Sequence, residues 1–318
     1  MISYLLKRLV MTVLVIVIVM TFLSLLVHLV PGDPVKIILG PRANPHLARE
    51  VRQEMGLDDP IYLQVWNFLA GAAHGDLGED FLSNEPVTGL ILEALPHTAI
   101  LAFSALGLTA LVGIPLGVYA ATKLNTAIDR ITALLSISFI STPSYVVGLY
   151  LLLLFALKWA FFPAAGSGSL SQPIGYLGHL VLPASALAIV WIGYIARLVR
   201  TSMLEVSGAN YIRTAHAFGL RQGIIYYKYA LKNAVIPAVA VLTLAFGELM
   251  GSAVFVEIIF SRPGLGRLIV EAIGERNFPI VRGVVLVIAL TYILANLVAD
   301  LSYRLLDPRI RVEEEPEA

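Results

Sequence analysis

The sequence predicts an all-α integral membrane protein with six transmembrane helices, and three observations carry that prediction. Of 318 residues, 58% are hydrophobic and only 14% charged, with a mean hydropathy of +0.82; soluble domains stay near half apolar. The apolar residues come in long blocks rather than at the helical or alternating spacing of a soluble core. Lys and Arg gather in alternate loops between those blocks, the asymmetry that sets orientation in a bilayer. The formal net charge is zero and there is no cysteine. Bulk attraction to nucleic acid, a disulfide framework, Fe–S clusters and thiolate zinc sites are thereby excluded.

The chain opens with a short basic stretch carrying Lys7 and Arg8, and the apolar run that follows reaches Val30. At about 20 residues it can cross a hydrocarbon core of about 30 Å. It exceeds the apolar region of about 7–15 residues found in cleavable signals, so residues 1–30 read as a cytoplasmic N-terminus and an uncleaved first span. Pro31 and Pro34 end it. Residues 31–98 turn soluble-like, with helical periodicity over 47–55, a turn over 56–60, an amphipathic helix over 61–72 and a turn over 75–78. Ten acids against four basic residues between Asp33 and Glu93 suit an extracytoplasmic helical segment.

Five more apolar runs, at 99–121, 131–155, 179–199, 234–260 and 281–303, make a five-span core over residues 99–305. The remainder, 306–318, is an acidic cytoplasmic tail. Six spans with both ends on one side place the basic clusters at Lys7 and Arg8, Lys123 and Arg130, Arg197 to Lys232, and Arg304 to Arg311 all in the cytoplasm, as the positive-inside rule requires. The loop 158–178 is rich in Gly, Ser and Pro. The loop 260–279 begins with a turn containing Pro263, Gly264, Gly266 and Arg267, and residues 267–276 can form a short helix on the membrane surface.

Catalytic and metal motifs are missing. There is no H-E-x-x-H, no G-x-S-x-G and no pair of His at metal-ligand spacing among the six present. The absent G-x-x-x-x-G-K-[ST] means that any ATP used must be bound by another chain. Within the spans, polar groups are the functional suspects, since a charge at the bilayer centre costs about 2.5–3.5 kcal/mol. Glu248 sits in the middle of span five. It reads either as the lining of a polar path facing a cationic end of the solute, or as a carboxyl bonded to a neighbouring helix or carried uncharged. Asn296 in span six is a second polar candidate for such a path.

The loop 201–236 is long, basic and helix-prone. Residues 211–218 read as a helix, Gly219 interrupts it, and 223–231 resume it, giving an exposed hairpin. A docking element and an amphipathic connector resting on anionic lipid both fit its charge.

Several motifs here resemble one known family, the inner-membrane permease subunits of bacterial ABC importers for peptides, glutathione and nickel. The loop matches in Tyr211, Ile212, Arg213, Thr214 and Ala215, then Ala217, Gly219 and Leu220, with Arg221 next to them as a further docking candidate, and again at Ala230, Leu231, Asn233, Ala234 and Pro237. The likeness extends to Pro31–Pro34, Gly75–Gly78, Thr201–Glu205, Pro263–Arg267 and Asp307–Arg311. Departures fall at Asn210, His216 and Phe218, where acidic or basic residues are common, and at Arg262, where an aromatic is frequent. The resemblance implies a type I importer permease, itself non-catalytic and without cofactor. It implies pairing with a second, similar permease and with two ATP-binding subunits that grip the loop around Gly219. It also implies cargo received from an extracytoplasmic solute-binding protein, most naturally short peptides or peptide-like solutes. A proton-coupled secondary transporter is the alternative.

Overall fold

The computed structural model describes residues 2–29, 46, 52, 58–169 and 171–306. The Pro31–Pro34 exit, nearly all of the helix expected over 47–55 and residues 307–318 of the acidic tail lie outside that set. The described residues are helical apart from short connections and one isolated antiparallel bridge between Glu79 and Pro86. In order they are α1 (Ile2–Leu29), α2 (Ile61–Ala73), α3 (Val87–Thr122), α4 (Ala127–Ser141), α5 (Ser144–Lys158), α6 (Pro173–Ser207), α7 (Asn210–Ala217), α8 (residues 222–234), α9 (Ile236–Ile259), α10 (Leu265–Gly274) and α11 (Phe278–Leu306).

Among the described residues, α3, α6, α9 and α11 are each long and apolar enough to cross a membrane, and α4 with α5 makes a fifth candidate. In α1, the apolar stretch Val10–Leu26 is shorter than those. The run 131–155 is therefore not the single straight span expected. Its two helices meet at a bend of 102°. The cause is Pro143: it has no N–H to give, and its ring pushes Thr142 out of the helical region to φ −99°, ψ 119°. A wider turn at Thr109–Gly113 in α3 directly precedes Pro115, where the helical bond that Pro cannot make has to be bypassed. The loop 158–178 is also shorter than expected, because α6 begins at Pro173.

The chain divides into two compact units, residues 1–97 with 263–290, and residues 98–262 with 291–318. In the first, α1 packs on α2, and Gly283 of α11 lets Val87 and Ile91 of α3 approach so closely that a Cβ there would sit 2.9 Å from each. The turn expected at 75–78 is present, with Gly75 and Gly78 at φ 85° and 88°, a backbone that L side chains avoid. Next to it the buried Asp80 accepts bonds from the Leu82 N–H at 2.9 Å, the Ser83 hydroxyl at 2.6 Å and the Asn277 amide. Burial pushes its carboxyl up, but the Ser83, Leu82 and Asn277 bonds outweigh that and hold it below the ordinary carboxylate range.

In the second unit α6 is the hub, packing against α3, α4, α5, α7, α8 and α9. Its 35 residues run about 52 Å at 1.5 Å per residue, well beyond the hydrocarbon thickness. Small residues bring its neighbours close. A Cβ on Gly117 of α3 would stand 2.5 Å from the Ala196 carbonyl oxygen and 2.8 Å from Val199 Cβ, and one on Gly193 would stand 2.7 Å from the Ser136 carbonyl oxygen. Membrane helices gain their association from such close packing. Arg200 adds a clamp, reaching Asp129 in the first turn of α4 through Nε at 2.5 Å and Nη2 at 2.9 Å. The outward faces are apolar: Leu134, Leu153, Phe161, Phe255 and Leu294 are all exposed.

Candidate functional site: an exposed helical hairpin and a mid-span cavity

The hairpin is built on a seam of apolar residues. Ile212 and Ala215 of α7, with Ile225, Ala230 and Ala234 of α8, are buried in a cluster with Val118, Ile195, Val199 and Met203. This is the inward stripe that helical spacing creates. The rest of α7 faces out, including Tyr211, Arg213, Thr214 and Ala217. The Asn233 amide donates to the Tyr211 hydroxyl at 2.7 Å and ties α8 to α7. Between the helices Gly219 adopts φ 71°, with no atom within 4 Å of where a Cβ would stand. Glycine is needed here for backbone conformation, not for space.

Beyond Gly219 the turn presents side chains outward. Phe218 is 81% exposed, and Leu220, Ile224 and Tyr227 are also exposed, with Arg213, Arg221 and Lys228 among them. The structure thus gathers the eight loop residues singled out in the sequence at one turn, with Ala215 alone among them buried. Phe218 departs from a basic residue to a fully presented ring. Ile224 and Tyr227 join it on the exposed side of α8, a placement that the loop's basic residues alone do not single out.

Glu248 lies midway along α9 and opens onto a cavity of about 510 Å³ in the second unit. Trp191 and Tyr194 of α6 and Tyr292 of α11 share its lining, and Ile140, Val190, Val241 and Leu244 complete it. The carboxylate is exposed and makes no hydrogen bond or ion pair with another described residue, so the expected alternative of a bond to a neighbouring helix is not what the fold provides. Gly247 sets the position: a Cβ there would meet the Tyr292 ring at 2.7 Å. Asn296, one turn beyond Tyr292, is half-buried. The three aromatic rings carried no signal beyond their place inside apolar runs.

Two buried polar groups, Glu257 and Arg262, lie near the end of α9. The Thr98 hydroxyl donates to the fully buried Glu257 at 2.6 Å. Fully buried Arg262 lies 5.6 Å from the Tyr176 ring centre and donates to the His179 carbonyl at 3.2 Å and the Tyr176 hydroxyl at 3.3 Å. An Arg in place of the frequent aromatic is thus held by stacking and hydrogen bonds. In the first unit, Pro263, Gly264 and Arg267 line a cavity of about 400 Å³ with Glu93 and His97. Arg267 Nε reaches Glu271 at 2.6 Å within α10, a helix that starts two residues earlier than expected. Gly266 is buried at its first turn.

Residues 113–312 match the family described as binding-protein-dependent transport system inner membrane component, and residues 1–102 match the corresponding N-terminal family. The chain belongs to this family. It is 37% identical over 309 residues to the probable peptide ABC transporter permease protein y4tP of Sinorhizobium fredii, covering 97% of this chain and 99% of that one. It is 38% identical over 305 residues to the probable D,D-dipeptide transport system permease protein DdpB of Escherichia coli, covering 89% and 90%. To the glutathione transport system permease protein GsiC of Shigella flexneri it is 34% identical over 311 residues, covering 98% and 99%. Among solved structures, inward-facing MetNI methionine ABC transporter matches with TM-score 0.57 at 18% identity, covering 69% of this chain and 96% of that chain. An amino acid ABC transporter with histidines matches with TM-score 0.51 at 17% identity, covering 76% and 98%. These two likenesses show a shared fold. The chain is a multi-pass membrane permease of an ABC importer, not a proton-coupled secondary carrier.

Proposed function

We propose that this chain forms half of the translocation path of an ATP-driven importer for short peptides or peptide-like solutes. In this reading six spans cross the bilayer, with both termini in the cytoplasm and the segment 31–98 outside. The hairpin around Gly219 then faces the cytoplasm, where an ATP-binding subunit grips it. The assembly holds a second, similar permease and two ATP-binding subunits, and cargo arrives from an extracytoplasmic solute-binding protein on the side of the turn Pro263 to Arg267. ATP is hydrolysed on the partner subunits, and this chain needs no metal or cofactor.

The observation that carries this reading is the hairpin: a buried apolar root holds up an exposed rim of Phe218, Leu220, Ile224 and Tyr227 with Arg213, Arg221 and Lys228. Aromatic and Arg side chains of this kind are the usual anchors of protein interfaces. Its root on α6 gives a pull on the hairpin a direct line into a helix that touches most of the second unit. The cargo class rests on relatives whose names read peptide, D,D-dipeptide and glutathione.

Co-purification from membranes followed by an ATPase assay in lipid tests the proposal. The chain is expected to bring down an ATP-binding subunit, and the double change Arg213→Glu with Arg221→Glu to weaken that association at least tenfold, about 1.4 kcal/mol. Isolation without any ATP-binding subunit, or unchanged assembly and uptake in the charge-reversed pair, would refute it.

A further inference from the structure

We propose that the cavity at Glu248 is a site for a primary ammonium group, the protonated amino terminus or lysine-like end of a solute in transit. This deepens the reading of the chain as a peptide permease and rests on it.

Glu248 is exposed in the middle of an apolar helix, with no hydrogen-bond or ion-pair partner among the described residues. A charge placed there at random is costly, so an ionisable side chain in a span points to a function and to a partner from outside the chain. Among the described residues no Lys, Arg or His lines the cavity, so this chain supplies no positive charge there and an ammonium-bearing occupant would.

The rest of the lining narrows the chemistry. Trp191, Tyr194 and Tyr292 come from two different helices to the cavity that Glu248 enters, and Trp191 and Tyr194 stand edge to face with ring centres 5.9 Å apart. Aromatic faces attract cations through their ring quadrupole, most strongly when water is thin. One carboxylate with several aromatic rings matches an ammonium ion. An anionic or purely apolar group would leave Glu248 unmatched or repelled. The aliphatic side chains on the remaining wall offer no partner to a carboxylate, so the far end of a zwitterionic solute has to point away from this chain. A cavity of about 510 Å³ holds a few residues' worth of solute at most. The rings offer no fixed hydrogen-bond pattern to a side chain, and so the site selects a charged end while tolerating variety beyond it.

The site is tested with the assembled transporter in nanodiscs, without the solute-binding protein, using two photoreactive probes. One is an alanine tripeptide with a free amino terminus and a benzophenone side chain; the other is its N-acetyl counterpart. Irradiation and peptide mapping are expected to find the free-amine probe on α6 and α11 beside Trp191, Tyr194 and Tyr292. Labelling is expected to be at least tenfold weaker for the acetylated probe and at least tenfold weaker in Glu248→Gln, and restored in large part by Glu248→Asp. Equal labelling by the two probes, or an equal loss of both in Glu248→Gln, would overturn the ammonium site. ATP-dependent uptake of the free-amine peptide by the wild-type transporter, with solute-binding protein present, separates the two layers. Its absence would overturn the importer reading, whereas normal uptake with indiscriminate labelling would overturn this inference alone.

Discussion

Two glycines of the second unit illustrate opposite uses of the same residue. At Gly117 the backbone is ordinary helix, and the missing side chain makes room for Ala196 and Val199 of α6 to come within contact. At Gly219 space is plentiful, and the missing side chain permits a left-handed turn. The first kind fastens α3 to α6, and the Arg200–Asp129 clamp fastens α4 to the same helix. The second kind lets a small exposed hairpin reverse direction at the end of that assembly. A rigid lever with a shaped tip can pass force from a partner into the spans, which a compliant loop of the same length could not do.

The two glycines differ most when each is given a side chain. Gly117→Val pushes a branched side chain into a backbone carbonyl at 2.5 Å, which cannot give way as a flexible side chain could. Destabilisation of about 3 kcal/mol or more, the upper end for overpacking, is expected as a fall in thermal midpoint in lipid nanodiscs. An unchanged midpoint would mean the α3–α6 contact is looser than described. On the hairpin side, Phe218→Ala removes an exposed ring, so stability should move by no more than about 0.5 kcal/mol. Binding to the ATP-binding subunit should nonetheless fall roughly tenfold, as for an aromatic anchor; equal loss of both would merge the two regions into one. Gly219→Ala is the mildest. With no atom to strike, its cost is the left-handed backbone alone, about 1 kcal/mol. Gly219→Asn should cost less, since Asn tolerates that conformation. A larger loss with Asn than with Ala would show that crowding, rather than φ, rules the position.

Much of this was legible in the sequence, and the failures have common causes. Blocks of apolar residues located α3, α6, α9 and α11, because crossing lipid leaves a signature of length that packing details do not disturb. The hairpin was legible as helix, Gly219, helix, since a glycine inside helical periodicity next to basic residues is a local signal. The 102° bend at Thr142 and Pro143 was not, although Pro143 was visible. Membrane helices often carry Pro with a modest kink, and only the surroundings decide how far it turns. The hub role of α6, the Arg200–Asp129 clamp and the placement of Trp191, Tyr194 and Tyr292 around Glu248 depend on pairings between distant segments. No periodicity within one helix encodes those. Glu257 is the instructive miss: the same rule that singled out Glu248 applies to it, but it lies close to the apolar run's end, where a charge is cheaper and draws less notice.

The native chain contains no cysteine, so a single thiol can be placed on it cleanly. Ala217→Cys, beside the tip and exposed, carrying a short photoactivated cross-linker in native membranes, tests the central claim that the hairpin tip seats in an ATP-binding subunit. The expected result is one dominant adduct to that subunit, with a yield that changes when ATP is added. Adducts to lipid alone, or a yield indifferent to ATP, would contradict the account.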